Sequence, residues 1–387
     1  MKFVLMRYVK KGSSLLCYVL LALGLVVAGC HSNHKKTSGE QVSEKVMPAY
    51  YKYLQGTIGN QKVIIQLIKY HDRYAGIFIN DSIGRPLEIA GKKDSSGLLT
   101  LISYDHYNPV DTLTGTFPQP GVFQGDCADT AGKHASFTFQ EIYPAGTYRW
   151  NVYTLSDSLT YDSTIQNSPK ARVQMALLWP EGEENLIKDS VIKYYCGRNV
   201  PLTNPAQVLH SPVDSFFAEY KNLKRNMQNS TAGEIPAIFN WESDLDMKIL
   251  WNADGIVSVA FQSYQYTGGA HGLSNTLLHV FDRKENKTLA MNDIFKPGYE
   301  QELRQALEEE LRKQYDIPDN APLNGDHGLL FDKRLALTKN FYLTGKGIGF
   351  IYNPYEVAPY VVGQIDLYIP FSKIANIIQP AYLNMGN

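Results

Sequence analysis

The sequence predicts an α+β fold in two parts: an N-terminal all-β domain of the meander or barrel type, and an α+β domain with an antiparallel sheet packed by helices. Three observations predict this fold. Residues 51–142 are short runs of β-branched and aromatic residues separated by turn residues. Beyond residue 145, similar runs alternate with segments of helical periodicity. The 26 tyrosines and 19 prolines favour strands joined by many turns.

The first 29 residues are predicted to be a targeting segment that lies outside the fold. Basic residues precede the apolar run Leu15–Val27, which is shorter than the about twenty residues that a membrane helix requires. The sequence from Val27 to Cys30, VAGC, then resembles a bacterial lipobox. The resemblance implies cleavage before Cys30 and lipid on its sulfur and on the new amino terminus. The alternative is an ordinary secretory signal followed by an incidental cysteine.

Residues 30–48 are polar, lack an apolar period and are predicted to be a flexible tether. The second residue of the mature chain is His31 rather than aspartate. Under the sorting rule of enteric Gram-negative lipoproteins, this residue does not retain a protein at the inner membrane. We therefore expect a cell-envelope protein whose lipid attaches it to the outer membrane, in either leaflet.

Charge and cysteine content exclude several classes of function. Residues 1–29 carry four basic and no acidic side chains, so residues 30–387 carry 33 basic and 38 acidic ones, a net charge of −5. Such a chain lacks the basic footprint of a nucleic-acid-binding protein. Beyond Cys30, only Cys127 and Cys196 remain, and their spacing does not predict a zinc site. They are expected either to form a disulfide or to stay two free thiols.

The β domain is assigned to residues 49–144, which contain eight apolar runs with turn residues between them. Five glycines lie inside these runs or at their ends: Gly56, Gly76, Gly91, Gly115 and Gly125. Glycine at such positions marks a bulge or a sharp bend. The glycines therefore predict a strongly curved sheet.

The α+β domain is assigned to residues 145–387. Apolar residues at helical spacing predict helices over residues 185–195, Val213–Gln228, Glu300–Tyr315 and 371–378. Gly197 is expected to end the first of these helices. The third helix is the clearest, because leucines recur every four residues on one face while charged residues occupy the others.

The segment Tyr266–Gly272, YTGGAHG, connects two predicted strands and contains the sharpest candidate for a site, His271. In a functional interpretation, Gly268 and Gly269 let a ligand approach the backbone, and His271 acts as an acid, a base or a metal ligand. In a structural interpretation, the glycines supply positive φ in a hairpin loop and His271 donates to a backbone carbonyl. We favour the structural interpretation, because no cysteine, serine or carboxylate lies at a familiar catalytic spacing.

Further candidate ligand-binding residues lie nearer the C-terminus. Asp293 is expected to cap a short helix, with ligand binding beside His271 as the alternative. Tyr355, Glu356 and Tyr360 lie in a long loop, where tyrosines with a carboxylate suit a sugar or a peptide. We favour the alternative, in which the tyrosines pack the loop onto the sheet and Glu356 is solvated or pairs with a basic residue. We predict no metal site and no cofactor, and interpret Asp326-His327 as a surface pair.

The second half of the chain resembles a known pair of domains over roughly Arg149–Ile378. The residues that carry the resemblance are Tyr264–Gly272, Asn292–Phe295, Phe341–Tyr352, Asn353–Tyr360, Gly363 and Ile369–Phe371. They resemble the extracellular domain of the lysozyme-sensing anti-sigma factor of Gram-positive bacteria. The same domain, otherwise of unknown function, accompanies polysaccharide deacetylase domains in certain peptidoglycan deacetylases. The sequence has neither the cytoplasmic sigma-binding segment nor the paired-histidine metal motif of a deacetylase.

These features predict a non-catalytic binding module on the cell envelope. The sequence lacks a GxSxG elbow, an HExxH motif and a P-loop. The resemblance implies a lysozyme-like protein or peptidoglycan as the partner, and the lipid implies the membrane as a second one. Two alternatives remain open: an enzyme that acts on envelope glycan through His271, and a structural part of an outer-membrane assembly.

Overall fold

The computed structural model describes residues 49–387 except 71, 107, 198–199, 202–203, 228–236, 326–327, 384 and 386–387. The predicted targeting segment, the lipidation site Cys30, the tether and the pair Asp326-His327 therefore lie outside the described residues. In the described part of the chain, every helix is too short or too polar to cross a membrane.

The N-terminal domain is a closed, eight-stranded antiparallel barrel, which confirms the predicted barrel-like fold. Consecutive strands are paired along the chain, and β1 also pairs with β8 to close the barrel. The strands are β1 (Tyr50–Ile58), β2 (Gln61–Tyr70), β3 (Arg73–Asn80), β4 (Pro86–Lys93), β5 (Leu99–Asp105), β6 (Asn108–Gln119), β7 (Val122–Asp129) and β8 (His134–Glu141).

The barrel interior explains the glycines that the sequence places in these strands. Leu54, Phe123 and Phe139 are fully buried in the barrel core. A Cβ atom at Gly125 would lie 2.0 Å from the backbone oxygen of Thr114 on the neighbouring strand. The same close approach to a facing carbonyl occurs at the other four predicted positions, Gly56, Gly76, Gly91 and Gly115. These glycines let adjacent strands approach where the sheet curves.

The second domain contains a six-stranded sheet in the order β14-β13-β12-β11-β10-β9. Its strands are β9 (Trp150–Thr160), β10 (Lys170–Pro180), β11 (Trp241–Ala253), β12 (Ile256–Tyr266), β13 (Leu273–Asp282) and β14 (Lys287–Thr288). The pairing is antiparallel, as predicted, except that β10 and β11 are parallel. A parallel pair needs a long crossover, and two helices between β10 and β11 provide it.

These crossover helices, α1 (Asn185–Cys196) and α2 (Pro205–Met227), pack on one face of the sheet. Gly197 ends α1 with a φ of 67°, as predicted. The predicted start of α2 at Val213 is wrong. The helix begins at Pro205, where the side chain of Asn204 accepts a hydrogen bond from the backbone N–H of Ala206. The apolar period becomes clear only after Pro212, which the long helix tolerates, so the sequence pattern concealed the first two turns.

The opposite face of the sheet is covered by a second, three-stranded sheet and short helices. The elements are α3 (Met291–Ile294), α4 (Glu300–Gln314), β15 (Phe341–Leu343), β16 (Gly347–Tyr352), β17 (Ile365–Pro370) and α5 (Phe371–Ile374). The predicted leucine stripe of α4 is buried in this core. The predicted terminal helix is shorter than expected, because the backbone of Ile377 and Ile378 pairs instead with Phe295 and Lys296.

The barrel packs against the second domain through buried polar groups. Asn252 of β11 donates to the hydroxyl of Tyr51, which donates in turn to Gln66 of the barrel. At a second contact, Arg85 pairs with Asp105 at 3.0 Å and faces Asp366 of β17. Cys127 lies in the barrel core and Cys196 at the end of α1, and both are free thiols. Burial raises the pKa of Cys127 to about 12, so this thiol is inert.

Candidate functional site

The loop Tyr266–Gly272 joins β12 to β13 and adopts the tight conformation that its glycines predict. Gly268 and Gly269 have φ angles of 94° and 116°, in the region that favours glycine. The hydroxyl of Tyr266 donates to the backbone oxygen of Gly269 at 3.0 Å and closes the turn. The loop therefore holds His271 in a fixed position at the end of the sheet.

His271 is exposed and lies beside two tyrosines from another part of the chain. Its ring stacks on Tyr360 with the ring centroids 3.8 Å apart and the planes 16° apart. Its Nδ1 is 3.1 Å from the backbone oxygen of Gly272, so Nδ1–H donates there, as the structural interpretation predicts. Nε2 is then the acceptor that faces the hydroxyl of Tyr355 at 3.4 Å. The hydrogen-bond partners of His271 are thus a carbonyl and a phenol, and no carboxylate is among those described.

The two tyrosines come from the long loop between β16 and β17. Tyr360 donates to the backbone oxygen of Gly272 at 2.7 Å, which fixes the two loops to each other. Tyr355 has 54% of its surface exposed, and its ring centroid is 5.5 Å from that of Tyr360. His271, Tyr355 and Tyr360 are called the aromatic cluster below. The cluster exposes the rings of His271 and Tyr355 to solvent, and each ring combines an apolar face with a polar edge.

Tyr355 holds an unusual backbone conformation. Its φ is 69°, in a region that costs a residue with a bulky side chain about 1–2 kcal/mol. Glu356 stabilises the turn rather than facing the cluster, because its carboxylate accepts a hydrogen bond from the backbone N–H of Asn353 at 2.9 Å. The side chain of Asn353 is in turn bonded to Thr276 of β13. The loop therefore displays an aromatic ring at a cost in folding free energy.

Asp293 has the predicted helix-capping role, and none of the contacts described for it is with the aromatic cluster. Its carboxylate accepts hydrogen bonds from the backbone N–H of Ala290, just before α3, and from Lys287 at 3.0 Å. These two donors lower the pKa of Asp293. The described residues contain no group of three or more histidine, cysteine or acidic side chains that could hold a metal ion.

The structure adds residues that sequence reasoning did not select. Tyr264 lies two residues before Tyr266 on β12, and Glu242 and Asp244 of β11 are directly opposite Tyr266 and Tyr264. Burial, together with the charges of Glu242 and Asp246, raises the pKa of Asp244 to about 7. In the sequence, the alternation of tyrosine and glutamine in Tyr264–Tyr266 was the signal that could have indicated two rings on one face of a strand. Only the register of β11 against β12 reveals which acidic residues lie beside these rings.

Comparison with known proteins finds a matching family model for each of two segments of the second domain. A model for the family "Deacetylase PdaC" matches residues 167–274, and the model of a protein family of unknown function, DUF3298, matches residues 292–372. The aromatic cluster joins these two segments, because His271 lies in the first and both tyrosines lie in the second. The predicted resemblance to a domain of unknown function found beside peptidoglycan deacetylase domains is confirmed.

Individual proteins agree with this assignment. The chain is 28% identical over 148 residues to the peptidoglycan-N-acetylmuramic acid deacetylase PdaC of Bacillus subtilis, of which it covers 30%. It therefore spans less than a third of that relative's length. A crystal structure of a DUF3298 family member from Bacteroides fragilis is 23% identical, with a TM-score of 0.54, and the alignment covers 62% of this chain and 98% of that chain. A DUF3298 family protein from Pseudomonas aeruginosa is 19% identical with a TM-score of 0.42, over 63% of this chain and all of that one.

The fold agrees with the first of these structures at the level of architecture. The first family model covers β10, both crossover helices, β11 and β12, and the second covers α4 and the three-stranded sheet. Following the eight-stranded barrel, the chain carries a segment matched by the deacetylase PdaC family and then one matched by the DUF3298 family.

Proposed function

We propose that this protein is lipid-anchored to the cell envelope through Cys30 and binds cell-wall glycan through the aromatic cluster without chemically changing it. The observation that carries the proposal is the meeting of His271, Tyr355 and Tyr360 from two loops 84 residues apart. A tyrosine ring offers a sugar an apolar face for stacking and a hydroxyl for hydrogen bonding. The name of the Bacillus subtilis relative, a peptidoglycan deacetylase, favours a glycan of this class as the ligand.

The conformation of Tyr355 supports a binding role for this residue. A strained backbone angle persists only where the surrounding structure enforces it, and such angles concentrate at sites that bind ligands. Here the Asn353–Glu356 turn enforces it, and the ring is left exposed rather than packed in the core. A purely structural loop gains nothing from this arrangement, because glycine would adopt the same φ without cost.

The contacts of His271 support binding over catalysis. A general acid or base needs a partner that orients it and holds or relays its proton. The described partners of His271 are a backbone carbonyl and a tyrosine hydroxyl, and its ring is stacked flat on Tyr360. This arrangement fixes the ring as part of a surface.

The proposal is tested by co-sedimentation of residues 31–387 with sonicated peptidoglycan. We expect saturable binding that Tyr355→Ala weakens about tenfold, since an aromatic contact contributes about 0.5–1.5 kcal/mol. The matched control is Ile165→Ala, which removes a residue with 45% exposure from the β9–β10 connection at the far edge of the sheet. This control should bind like the unmodified protein.

Three outcomes would overturn the proposal. Unchanged binding by Tyr355→Ala would show that the aromatic cluster is not the site. Binding to lysozyme but not to peptidoglycan would identify a protein as the ligand. Release of acetate or of sugar fragments from peptidoglycan, lost in His271→Ala, would identify an enzyme.

A further inference from the structure

We infer that the binding site continues from the aromatic cluster along the face of β11 and β12, so that the ligand is a linear glycan of at least two sugar units. This inference rests on the proposed function and names the ligand class more closely. It adds Tyr264, Tyr266, Glu242 and Asp244 to the surface formed by the cluster.

Gly272 makes the two parts of this surface continuous. The glycine leaves room for the ring of Tyr264, since a Cβ atom at this position would lie 2.5 Å from three atoms of that ring. The backbone oxygen of the same glycine accepts the hydrogen bond from Tyr360. Tyr264 and Tyr360 therefore contact one residue, and the aromatic cluster adjoins the side chains of β12.

Tyr264 and Tyr266 point to the same face of the sheet, because side chains two residues apart on a strand share a face. Both are partly exposed. Across the strand pair, Tyr264 is opposite Asp244 and Tyr266 is opposite Glu242. Directly opposed side chains on one face lie close enough to contact one ligand group. Each ring on this face therefore has a carboxylate beside it.

The carboxylate of Asp244 lacks the partner that it needs. Its Oδ1 atom is buried, and it has no hydrogen-bond donor within the described residues. A buried acceptor without a donor is unfavourable, so this partly exposed side chain loses no hydrogen bond at Oδ1 when it turns toward the donor of a ligand. Sugar hydroxyl and acetamido groups are such donors, and they occur at the edge of a ring whose face stacks on tyrosine.

The surface has more than one position at which a sugar can stack on a ring, which indicates a ligand of more than one sugar unit. One aromatic ring stacks on one face of one sugar. Tyr355 lies at one end of the surface, whereas Tyr264 and its partner Asp244 lie beyond Gly272 on the sheet. Arg73 of the barrel lies near Asp244, so the barrel borders the far end. A single sugar occupies only one of these positions, and a linear glycan occupies both.

The inference is tested by calorimetric titration of residues 31–387 with N-acetylglucosamine and with its linear dimer and tetramer. We expect the tetramer to bind at least tenfold more tightly than the monomer. Tyr264→Ala and Asp244→Asn should each weaken tetramer binding about tenfold. Tyr264→Phe, which keeps the ring, should bind nearly as well as the unmodified protein and shows that the fold tolerates a change at this position.

The matched control is Asp157→Asn, an equally small change on the exposed part of the edge strand β9. Equal affinity for monomer and tetramer, or full tetramer binding by Tyr264→Ala and Asp244→Asn, overturns the extended site. So does binding of peptidoglycan without binding of any oligomer. These results leave the proposed function standing if Tyr355→Ala still weakens peptidoglycan binding, whereas the absence of all glycan binding removes both.

Discussion

At the scale of single residues, Tyr355 connects conformation with binding. The backbone at this position favours glycine, yet the chain places an exposed aromatic ring there. The ring contributes little to the core, because more than half of its surface remains in solvent. Stability and binding therefore place opposite demands on this position, as expected where a loop displays a ligand-binding side chain.

This conflict predicts that Tyr355→Gly is more stable than Tyr355→Ala by about 1 kcal/mol, because glycine relieves the positive φ that alanine retains. Both variants should show the same weakening of peptidoglycan binding, since both lack the ring. Urea denaturation followed by circular dichroism measures the difference in stability. An alanine variant as stable as the glycine variant would show that this backbone carries no strain.

At the scale of elements, the barrel depends on a close approach between strands that larger residues would prevent. The apolar runs predict the eight strands, because alternation over a few residues is a local pattern. Closure between β1 and β8 is a contact between residues far apart in sequence, so no local pattern contains it. The strand glycines were the local signal in the sequence for the curvature that closure requires.

We predict that Gly125→Ala destabilises the protein, because the new methyl group would meet the backbone of β6 at Thr114. Overpacking of this kind costs at least about 1–3 kcal/mol. The control is Gly132→Ala in the β7–β8 turn, where a Cβ atom has free space and only the φ of 77° opposes it. This control should cost about 1 kcal/mol. Equal destabilisation of the two variants in thermal unfolding would contradict the packing explanation.

At the scale of the whole molecule, buried ionisable groups join the barrel to the second domain. Asp366 of β17 is partly buried, and the hydroxyl of Tyr342 donates to it at 3.2 Å. Burial raises the pKa of Asp366 to about 6, although Arg85 of the barrel and the Tyr342 hydroxyl oppose the rise. Glu88 and Asp105 of the barrel are the acidic groups that favour it. Arg85 in turn donates to Nε2 of His106 at 2.8 Å.

This arrangement predicts a loss of stability as the pH rises from about 4 to about 7. The carboxyl of Asp366 has a higher pKa in the folded chain than its ordinary value of 3.8. Its stabilising contribution is therefore complete below pH 3.8 and is lost as the pH rises past about 6. The shift of about two pKa units corresponds to about 3 kcal/mol. Asp366→Asn should remove this part of the pH dependence.

The measurement is the free energy of unfolding in urea at pH 4 and at pH 7 for both proteins. The contributions of Asp244 and Asp246 change in the same direction in both and cancel in the comparison. Identical pH dependence in the two proteins would mean that Asp366 ionises normally and that its burial is compensated by Arg85.

The sequence by itself determined the fold class, the strands of the barrel, the capped end of α1, the leucine face of α4 and the residues of both loops that form the aromatic cluster. Each of these follows from neighbours within a few positions along the chain, where periodicity, turn residues and caps act. Only the tertiary structure decided that His271 stacks on Tyr360, that Asp244 lies beside Tyr264, and that β10 and β11 are parallel. These depend on strand register and on loop packing between residues far apart in sequence, and such contacts form only when the whole chain folds.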